Sequence, residues 1–532
     1  MKTECGIFAV LGHPQIPPVV INQGMRNIQH RGQDSYGLST RDSDGRISEI
    51  KEFGLLPDEL VCSSPSIATS QEEEISPKNP ELVAVLGHTR YSTVCATIDK
   101  EAIQPIELTD SDSNLGSSDS SAAYISFNGN IPDFQTNMRR NLGIQELDGS
   151  SDTFLFRAIW QQDFNDSGDT TGFARYCITQ IPGAYSCVVL SGERLVGFRD
   201  RYGYKPLWWF RNLELGLQGF VSESCQLDVA KTCQLEAAKS CQLDVAKSSQ
   251  LDVAKTCQLE AAKSYQITEV APGSIVILES GTEPQIIPVI SLPSGELSRC
   301  SMETIYFMQD NSLASLDNLA KQSISYDGIG PNVADVKNKL GRQLAKEELG
   351  TFLPADTQVI YVPESSYPLA VSYSAELGLP FNKDVIRKIY NIRSFIESNT
   401  EARVGKIKRK FEFAFDLITS PDVIIIDDSL VRGNTMNYII GQLKASRPDV
   451  RIHIRIASPI LKDKCWFGID IAERDELIYW KTGSSLSRLQ DYLKVASIQY
   501  LSVEGLRSVL GLGHCTFCFG EPIAANRRTL EW

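Results

Sequence analysis

Short apolar runs that alternate with glycine and polar turns dominate the chain up to about residue 222. Examples are CGIFAV, ELVAVLGH, AAYISFNGN and SCVVLSGERLVGFRD. Runs of this length, bounded by turn residues, predict strands. Two acidic, serine-rich stretches at 63–80 and 109–121 are typical of surface loops. The pattern predicts a layered α+β sandwich for this part of the chain.

From about residue 330 the pattern changes, and helical stretches alternate with β-rich runs. VADVKNKLGRQLAKEEL and TMNYIIGQLKAS predict helices, whereas TQVIYVPESS, DVIIIDDS and RIHIRIASP predict strands. Strands separated by helices of this length predict βαβ units. We therefore expect a second domain of the α/β class with a mainly parallel sheet.

An eight-residue repeat, whose first unit is SCQLDVAK, occupies residues 224–263. Eight residues turn a helix by about 800°, so the apolar stripe drifts by about 80° from one unit to the next. A long helix built this way would not keep one face on a core, and we predict an expanded surface helix or loop with incidental thiols. The alternative is that the repeated cysteines bind a row of metal ions. Ser249 stands where the series would have another cysteine, and the members of the series are Cys225, Cys233, Cys241 and Cys257.

Composition and charge exclude some classes of function. The 532 residues carry a net charge of -14, which argues against a nucleic-acid partner because phosphate binding needs a positive surface. No apolar run approaches the roughly 20 residues of a membrane span, and the start lacks a secretory or transit pattern. We therefore expect no membrane partner and a cytoplasmic location. The 13 cysteines form no even, closely spaced framework, which favours reduced thiols or a metal centre over disulfides.

The string VIIIDDSLVRGNT, residues 423–435, carries the strongest local signal for chemistry. Four β-branched residues predict a buried strand that ends at Asp427 and Asp428, and ligands of open α/β sheets bind beyond the carboxyl ends of strands. Two carboxylates there can hold a ribose hydroxyl or a hydrated Mg²⁺. The loop that follows can bind a phosphate at a helix N-terminus. The alternative without a ligand is that Asp427 and Asp428 only solvate the end of the strand.

This string resembles the phosphoribosyl-pyrophosphate (PRPP) motif of type I phosphoribosyltransferases, and VPESS resembles the pyrophosphate loop of that fold. Upstream, the strings CGIFAV, QHRGQDSYG, GHTRYST, NGN, SDT, GAYS, RDRYGYKPL and VSES occur in this order. Together they resemble the glutaminase domain of class II amidotransferases, an N-terminal-nucleophile fold. The combination resembles the amidophosphoribosyltransferase family over nearly the whole chain. It implies a glutaminase domain at 5–290 and a phosphoribosyltransferase domain at 291–510, flanked by a leader at 1–4 and a tail at 511–532.

For the glutaminase domain, the resemblance implies a role for each matched residue. Cys5, made N-terminal by removal of the leader, is the nucleophile that attacks glutamine. Asn128 and Gly129 form the oxyanion hole. Arg90 binds the α-carboxylate of glutamine and Asp152 its α-ammonium group. Taken singly, a cysteine before an apolar run is more often a small core residue, and Arg90 and Asp152 would be surface ion-pair residues.

For the second domain, the resemblance implies conversion of PRPP, glutamine and water to phosphoribosylamine, glutamate and pyrophosphate, the first committed step of purine biosynthesis. It implies Mg²⁺ as a cofactor, purine nucleotides as feedback inhibitors, a homotetramer, and a closed path for ammonia. The implied Mg²⁺ ligands are Ser365, Asp427 and Asp428. The implied PRPP-binding residues are Ser366, Arg393, Lys410, Asp427, Asp428, Ser429, Arg432, Gly433, Asn434 and Thr435.

Three positions of the second domain depart from the family pattern. Gln309 and Ile389 replace arginines, and Glu412 replaces an asparagine, which puts a carboxylate near the pyrophosphate loop. A carboxylate there is unfavourable without compensation. The alternative function is therefore a glutaminase-only or non-catalytic regulatory relative that binds PRPP or nucleotides.

The cysteines outside the repeat include Cys300, Cys465 and the CxxC pair Cys515 and Cys518. A CxxC alone leaves zinc, redox, iron–sulfur and purely structural interpretations open. The four positions together resemble the ligands of the [4Fe–4S] cluster that one branch of the family carries. Zinc bound by four thiolates is the main alternative, and a site without metal is another.

Overall fold

The computed structural model describes residues 5–61, 81–91, 100–109, 122–132, 134, 142–144, 151–227, 265–315, 324–325, 331–348, 354, 356–389, 411–469 and 473–521. These residues form two compact units. The first holds the described residues up to Arg299 with the strand Ile324–Ser325, and the second holds the others, from Cys300 on. The two acidic loops predicted at 63–80 and 109–121 lie almost entirely outside the described residues. Within the described ranges, no helix has the length and apolar character needed to cross a membrane.

Two antiparallel sheets form the first unit. The strands of the larger sheet are β1 (Gly6–Gly12), β2 (Ser35–Asp42), β3 (Ile47–Phe53), β4 (Leu82–Arg90), β9 (Trp208–Asn212), β10 (Leu217–Val221), β11 (Gln266–Glu269) and β15 (Ile324–Ser325). Their spatial order is β15-β11-β9-β10-β1-β4-β2-β3. The strands of the smaller sheet are β5 (Ile106–Glu107), β6 (Ala123–Asn130), β7 (Ala184–Ser191), β8 (Arg194–Arg199), β12 (Ser274–Glu279) and β13 (Gln285–Pro288). Their order is β13-β12-β8-β7-β6-β5.

The two sheets pack face to face and carry helices on their outer faces, as the predicted sandwich requires. Buried residues of β1, β4, β7, β8 and β12 form one core between the sheets. A second core joins the smaller sheet to α2 (Thr153–Asp163) and α3 (Thr170–Gln180) through aromatic side chains. Helix α1 (Pro18–Asn27) packs on β1, where a Cβ added at Gly24 would lie 2.3 Å from the ring of Phe8. Glycine therefore allows this close approach.

A four-stranded parallel sheet forms the centre of the second unit. Its strands, in spatial order, are β16 (Thr357–Tyr361), β19 (Asp422–Asp427), β20 (Arg451–Ile456) and β21 (Ser497–Tyr500). Its helices are α4 (Val333–Glu348), α5 (Tyr367–Leu377), α6 (Asn434–Ser446), α7 (Ile478–Lys481), α8 (Leu486–Leu493) and α9 (Val503–Leu510). Two short pairs complete it, β14 (Arg299–Cys300) with β22 (His514–Cys515), and β17 (Ile386–Lys388) with β18 (Phe411–Phe413).

Strand β19 explains why this half folds as its pattern predicts. Val423 and Ile425 belong to the core that contains α6, whereas Ile424 and Ile426 belong to the core on the other face, with α4 and α5. All four side chains are fully buried. A parallel sheet covered on both faces needs such a continuous apolar run. The predicted helices and strands around it are confirmed.

The start of the eight-residue repeat differs from the expectation of a surface segment. Ser224–Leu227 form a buried 3-10 turn. The Gln226 side chain explains the burial, because its amide donates to the Ile7 carbonyl (3.1 Å) and accepts from the Glu223 N–H (3.0 Å). These bonds replace the water that the side chain gives up. The remaining repeat, with Cys233, Cys241 and Cys257, lies outside the described residues.

Candidate functional site

The carboxyl ends of β16 and β19 bring five of the predicted PRPP and Mg²⁺ residues together. Ser366 donates to Asp427 Oδ1 (3.1 Å), Ser365 donates to Asp428 Oδ2, and Ser429 donates to Asp428 Oδ1 (2.6 Å). Both carboxylates are buried, with residue exposures of 8% for Asp427 and 2% for Asp428. Adjacent parallel strands end at the same sheet edge, which is why residues about 60 positions apart meet here.

Two helices begin at this edge. Ser366 directly precedes α5, and Gly433 directly precedes α6, whose first residues Asn434 and Thr435 are at least partly exposed. Gly433 has a positive φ of 77°, and a Cβ there would lie 2.2 Å from Ile478 Cδ1, so the turn requires glycine. The first N–H groups of a helix lack intrahelical acceptors, and they attract anions. Hard oxygen donors beside anion-binding loops suit Mg²⁺, which proteins hold through one or two carboxylates plus substrate phosphates.

The predicted basic residues are only partly described. Arg432 pairs with Glu476, with Nε 3.1 Å from Oε2. Lys388 Nζ lies 2.7 Å from Oε2 of Glu364, in the predicted pyrophosphate loop. The predicted PRPP residues Arg393 and Lys410 lie outside the described residues. The described part of the chain thus contains the carboxylates and the helix N-termini but not these two basic groups.

Glu412, which departs from the family pattern, lies in a short antiparallel strand pair. In the antiparallel pair β17–β18, Glu412 lies directly opposite Arg387. Side chains opposite one another in such a pair have Cβ atoms about 4.5–5.5 Å apart, so opposite charges attract. The guanidinium of Arg387 nevertheless lies 3.5 Å from Asp384 Oδ1, so its ion pair among the described residues is with Asp384 and not with Glu412.

In the first unit, Cys5 lies directly before β1 and is partly exposed. Its carbonyl oxygen accepts a hydrogen bond of 3.0 Å from Nε of Arg31. Strand β1 lies between β10 and β4 in the larger sheet, and Gly6 pairs with Thr89, next to Arg90. The sheet register therefore brings the predicted nucleophile to the end of β4 that carries Arg90.

The predicted oxyanion-hole residues lie near the end of β6. Asn128 is 1% exposed, and its Nδ2 has no hydrogen-bond partner among the described residues. A Cβ at Gly129 would lie 2.1 Å from the Ala184 carbonyl oxygen, so only glycine fits. A buried donor without a partner costs about 1–3 kcal/mol, and a native structure that keeps one calls for an explanation. Asn128 Nδ2 is thus a donor whose acceptor the described residues do not supply.

Arg90 and Asp152 interact electrostatically. Arg90 Nη1 donates to the Ala102 carbonyl (2.7 Å), and Asp152 Oδ2 accepts from the Ile131 N–H (3.0 Å). Burial raises the pKa of Asp152 to about 6, although the charge of Arg90 opposes the rise. The site therefore combines a guanidinium with a carboxyl group that ionises near neutrality.

A buried charge cluster behind Cys5 was not assigned by sequence reasoning. Glu223 Oε1 accepts from Arg31 Nη1 (2.6 Å) and lies 2.9 Å from His30 Nε2. Burial alone would raise the pKa of Glu223, but the charges and hydrogen bonds of His30 and Arg31 outweigh it and hold the pKa below its usual range. His30 and Arg31 lie in the string QHRGQDSYG, and Glu223 lies in VSES, two of the strings that resemble the family. Neither string predicts that Arg31 and Glu223, 192 positions apart, pair with one another.

The four predicted cluster cysteines come from three segments that meet in the second unit. The strand containing Cys300 pairs with the strand containing Cys515, and the Cys518 carbonyl accepts from Lys462 N (2.8 Å), close in sequence to Cys465. Burial raises the pKa of the Cys518 thiol, and the other three cysteines raise it further. All four are free cysteines.

Within the described ranges, no group of three or more His, Cys, Asp or Glu side chains could hold a metal ion. Sulfur atoms around a tetrahedral zinc lie about 3.8 Å apart, whereas those around a four-iron cluster lie roughly 6–7 Å apart. Soft thiolates from neighbouring segments are ligands that both zinc and iron–sulfur clusters take.

The fold and the two constellations define a class: proteins that join an antiparallel sandwich with a cysteine at the head of its central strand to a parallel α/β sheet with a carboxylate pair at its edge. No family model matches the chain. Curated proteins named amidophosphoribosyltransferase do match it over nearly its full length. The human one is 27% identical and covers 96% of this chain and 89% of its own length. The Bacillus subtilis one is 25% identical, with coverages of 98% and 94%.

Solved structures agree on the fold. The glutamine PRPP amidotransferase from B. subtilis, complexed with ADP and GMP, matches with a TM-score of 0.71 and 24% identity, over 97% of this chain and 96% of that one. A structure of the allosteric regulatory enzyme of purine biosynthesis matches with a TM-score of 0.72 and 23% identity, over 97% and 95%. The resemblance to amidophosphoribosyltransferases that the sequence motifs predict is confirmed, and this chain is related to them over nearly its whole length.

Proposed function

We infer that the protein is an amidophosphoribosyltransferase that converts PRPP, glutamine and water to phosphoribosylamine, glutamate and pyrophosphate, the first committed step of purine biosynthesis. The relationship to enzymes of that name over nearly the whole chain carries the inference. The carboxylate pair at the parallel sheet edge supports it, because a glutaminase alone would not need one.

We propose that the first unit is an N-terminal-nucleophile glutaminase. The Cys5 thiolate attacks the carboxamide carbon of glutamine, ammonia leaves, and water hydrolyses the thioester to glutamate. Asn128 Nδ2 and the Gly129 N–H donate to the oxygen on which negative charge develops. Arg90 binds the α-carboxylate of glutamine and Asp152 its α-ammonium group. The buried Asn128 Nδ2, which has no hydrogen-bond partner in the described part of the chain, is the observation that supports this assignment.

We propose that the second unit binds PRPP at the carboxyl edge of β16 and β19. Asp427 holds ribose hydroxyls, Ser365 with Asp427 and Asp428 holds Mg²⁺, and the loop from Ser429 to Thr435 binds the phosphate at the start of α6. Mg²⁺ supplies neutralisation of the charge on the departing pyrophosphate. Ammonia from glutamine is the nucleophile at C1 of PRPP.

One assay tests the function. Purified protein with PRPP, Mg²⁺ and glutamine should release glutamate and pyrophosphate in equal amounts. Cys5→Ser should abolish this while leaving the activity with ammonium chloride, which bypasses the thiol. Intact mass of the active protein should show loss of residues 1–4. An active enzyme that retains them would contradict a mechanism that uses the α-amino group of Cys5 as base.

The second candidate is a glutaminase-only or regulatory relative, favoured by the replacements at Gln309, Ile389 and Glu412. Glutamate release without pyrophosphate release in the same assay would establish it.

We further propose that Cys300, Cys465, Cys515 and Cys518 hold a [4Fe–4S] cluster with a structural role. The convergence of three segments on Cys518 supports this proposal. Anaerobically purified protein should be brown and contain about four iron atoms per chain. A colourless, iron-free preparation with full activity would refute it.

Regulation by purine nucleotides, assembly into a tetramer and a cytoplasmic location complete the proposal. The first is supported by the B. subtilis structure with ADP and GMP. Inhibition by each nucleotide in the pyrophosphate assay and the mass in solution by light scattering test the first two.

A further inference from the structure

The backbone that directly follows the Cys5 side chain is held by side chains from two distant segments. Arg31 Nε donates to the Cys5 carbonyl (3.0 Å). Ser222 Oγ accepts from the Ile7 N–H (2.9 Å), and Gln226 Nε2 donates to the Ile7 carbonyl (3.1 Å). The first residues of β1 are thus fixed by side chains as well as by their sheet neighbours.

Glu223 lies at the centre of these contacts. Its carboxylate accepts from Arg31 Nη1 (2.6 Å), and its own N–H donates to the Gln226 side chain (3.0 Å). His30 Nε2 lies 2.9 Å from the same carboxylate oxygen. The side chains of Arg31 and Glu223 are both 0% exposed, so water does not compete for either charge. A buried pair of this kind loses much free energy when one partner is removed.

We propose that Glu223 is a positioning residue for the nucleophile Cys5 and acts through Arg31. The carboxylate orients the guanidinium so that its Nε–H meets the Cys5 carbonyl, which fixes the backbone from which the thiol and the α-amino group project. The inference rests on the proposed glutaminase function and deepens it. Glu223 touches neither substrate nor thioester, so it is not a catalytic residue.

The arrangement matters for rate because a nucleophile reacts from a narrow range of positions. A misplacement of about 1 Å, caused by a group remote from the chemistry, can cost roughly 100-fold in rate. Without the carboxylate, the Arg31 guanidinium loses the buried partner that orients it. Its Nε–H is then no longer held against the Cys5 carbonyl. The thiol then remains present and reactive but is badly placed for the glutamine carbonyl.

The test compares Glu223→Gln with a matched control, Glu269→Gln. Glu269 is a second buried carboxylate of the same unit, paired with Arg199 (2.6 Å) and Arg299 (3.4 Å). Both substitutions remove a buried charge, so both should lower thermal stability. We expect E223Q to lower kcat for glutamine by about 10- to 100-fold with KM changed less than about threefold. E269Q should keep kcat within about threefold of the wild type.

Alkylation of Cys5 by iodoacetamide across pH separates positioning from thiol activation. Removing a negative charge near the thiol cannot disfavour the thiolate, so the apparent pKa of alkylation in E223Q should be unchanged or lower. A higher apparent pKa would mean that E223Q acts through the thiolate, and it would overturn the inference. Equal losses of kcat in E223Q and E269Q would also overturn it, because they indicate a merely structural role.

If E223Q fails to fold, the variant Glu223→Asp tests the inference instead. It keeps the charge but withdraws the carboxylate by about one methylene, so it should fold and still lose at least about threefold in kcat. Wild-type kcat in E223D would refute the role of carboxylate position. A wild-type chain that releases no glutamate overturns the proposed function and this inference together. An active wild type with an unimpaired E223Q overturns the inference alone.

Discussion

Replacing Asn128 with leucine should change folding stability and activity in opposite directions. The two side chains have the same number of heavy atoms, so Asn128→Leu removes the amide with little change in volume. The residue is 1% exposed, and its Nδ2 has no acceptor within the described ranges. A buried donor without a partner costs about 1–3 kcal/mol, a cost that the leucine does not carry.

We therefore expect N128L to increase the free energy of unfolding by about 1–2 kcal/mol. In a unit of this size, 1 kcal/mol corresponds to a Tm change of roughly 2–4 °C. The same change removes one oxyanion donor, and loss of such a donor lowers kcat by about 100- to 1,000-fold. The activity with ammonium chloride should persist, because it does not use the oxyanion hole.

The measurements are calorimetric Tm, glutamate release and ammonia-dependent pyrophosphate release. Asn212→Leu is the control, since the buried Asn212 Oδ1 accepts from the Leu215 N–H (3.0 Å) and the substitution leaves that donor unpaired. It should lower Tm and spare glutamate release. The reasoning is refuted if N128L lowers Tm, or if its glutamate release stays within about fivefold of the wild type.

Two of the remaining predictions concern the sites, and the third concerns the buried ion pair of Arg455 with Glu348 in the second unit. Burial raises the pKa of Asp152 to about 6, so kcat/KM for glutamine should fall about tenfold per pH unit below that value. Because the folded state binds this proton more tightly than the unfolded state, protonation of Asp152 does not favour unfolding, and the fall cannot be caused by acid unfolding at this group. Asp427→Asn with Asp428→Asn should reduce PRPP-dependent pyrophosphate release at least about 100-fold and leave Tm nearly unchanged, as the test of the Mg²⁺ and ribose contacts. Arg455→Met should cost about 3–5 kcal/mol in unfolding experiments, because the 1% exposed Glu348 carboxylate keeps the Tyr373 hydroxyl as a donor but loses its counter-charge. The double variant with Glu348→Gln should recover most of that loss, and failure to recover it would contradict the argument.

Local sequence patterns determined much of the second unit. The run Val423–Ile426 predicted a strand buried on both faces, and the two carboxylates and Gly433 that follow predicted a ligand-binding loop before a helix. Each of these features depends on residues within one strand, turn or helix. Period, charge and backbone freedom of neighbouring residues are enough to specify them.

In the first unit, the alternation of apolar runs and turns predicts the strands, and the ordered motifs indicate Cys5, Arg90, Asn128 and Asp152. Which of these groups lie near one another depends on the order of the strands in the sheet. Cys5 reaches Arg90 only because β1 lies beside β4 in the middle of the larger sheet. Strand order and register depend on contacts between distant segments, which a local pattern does not contain.

The buried charges behind Cys5 are visible only in the folded chain. Arg31 and Glu223 are 192 positions apart. In the sequence, each is an ordinary polar residue typical of a solvated surface. Burial of such a group is stable only when the fold supplies an opposite charge or a hydrogen bond at short range. That partner is chosen by the packing of whole sheets, so neither the burial nor the pairing could be predicted from the chain alone.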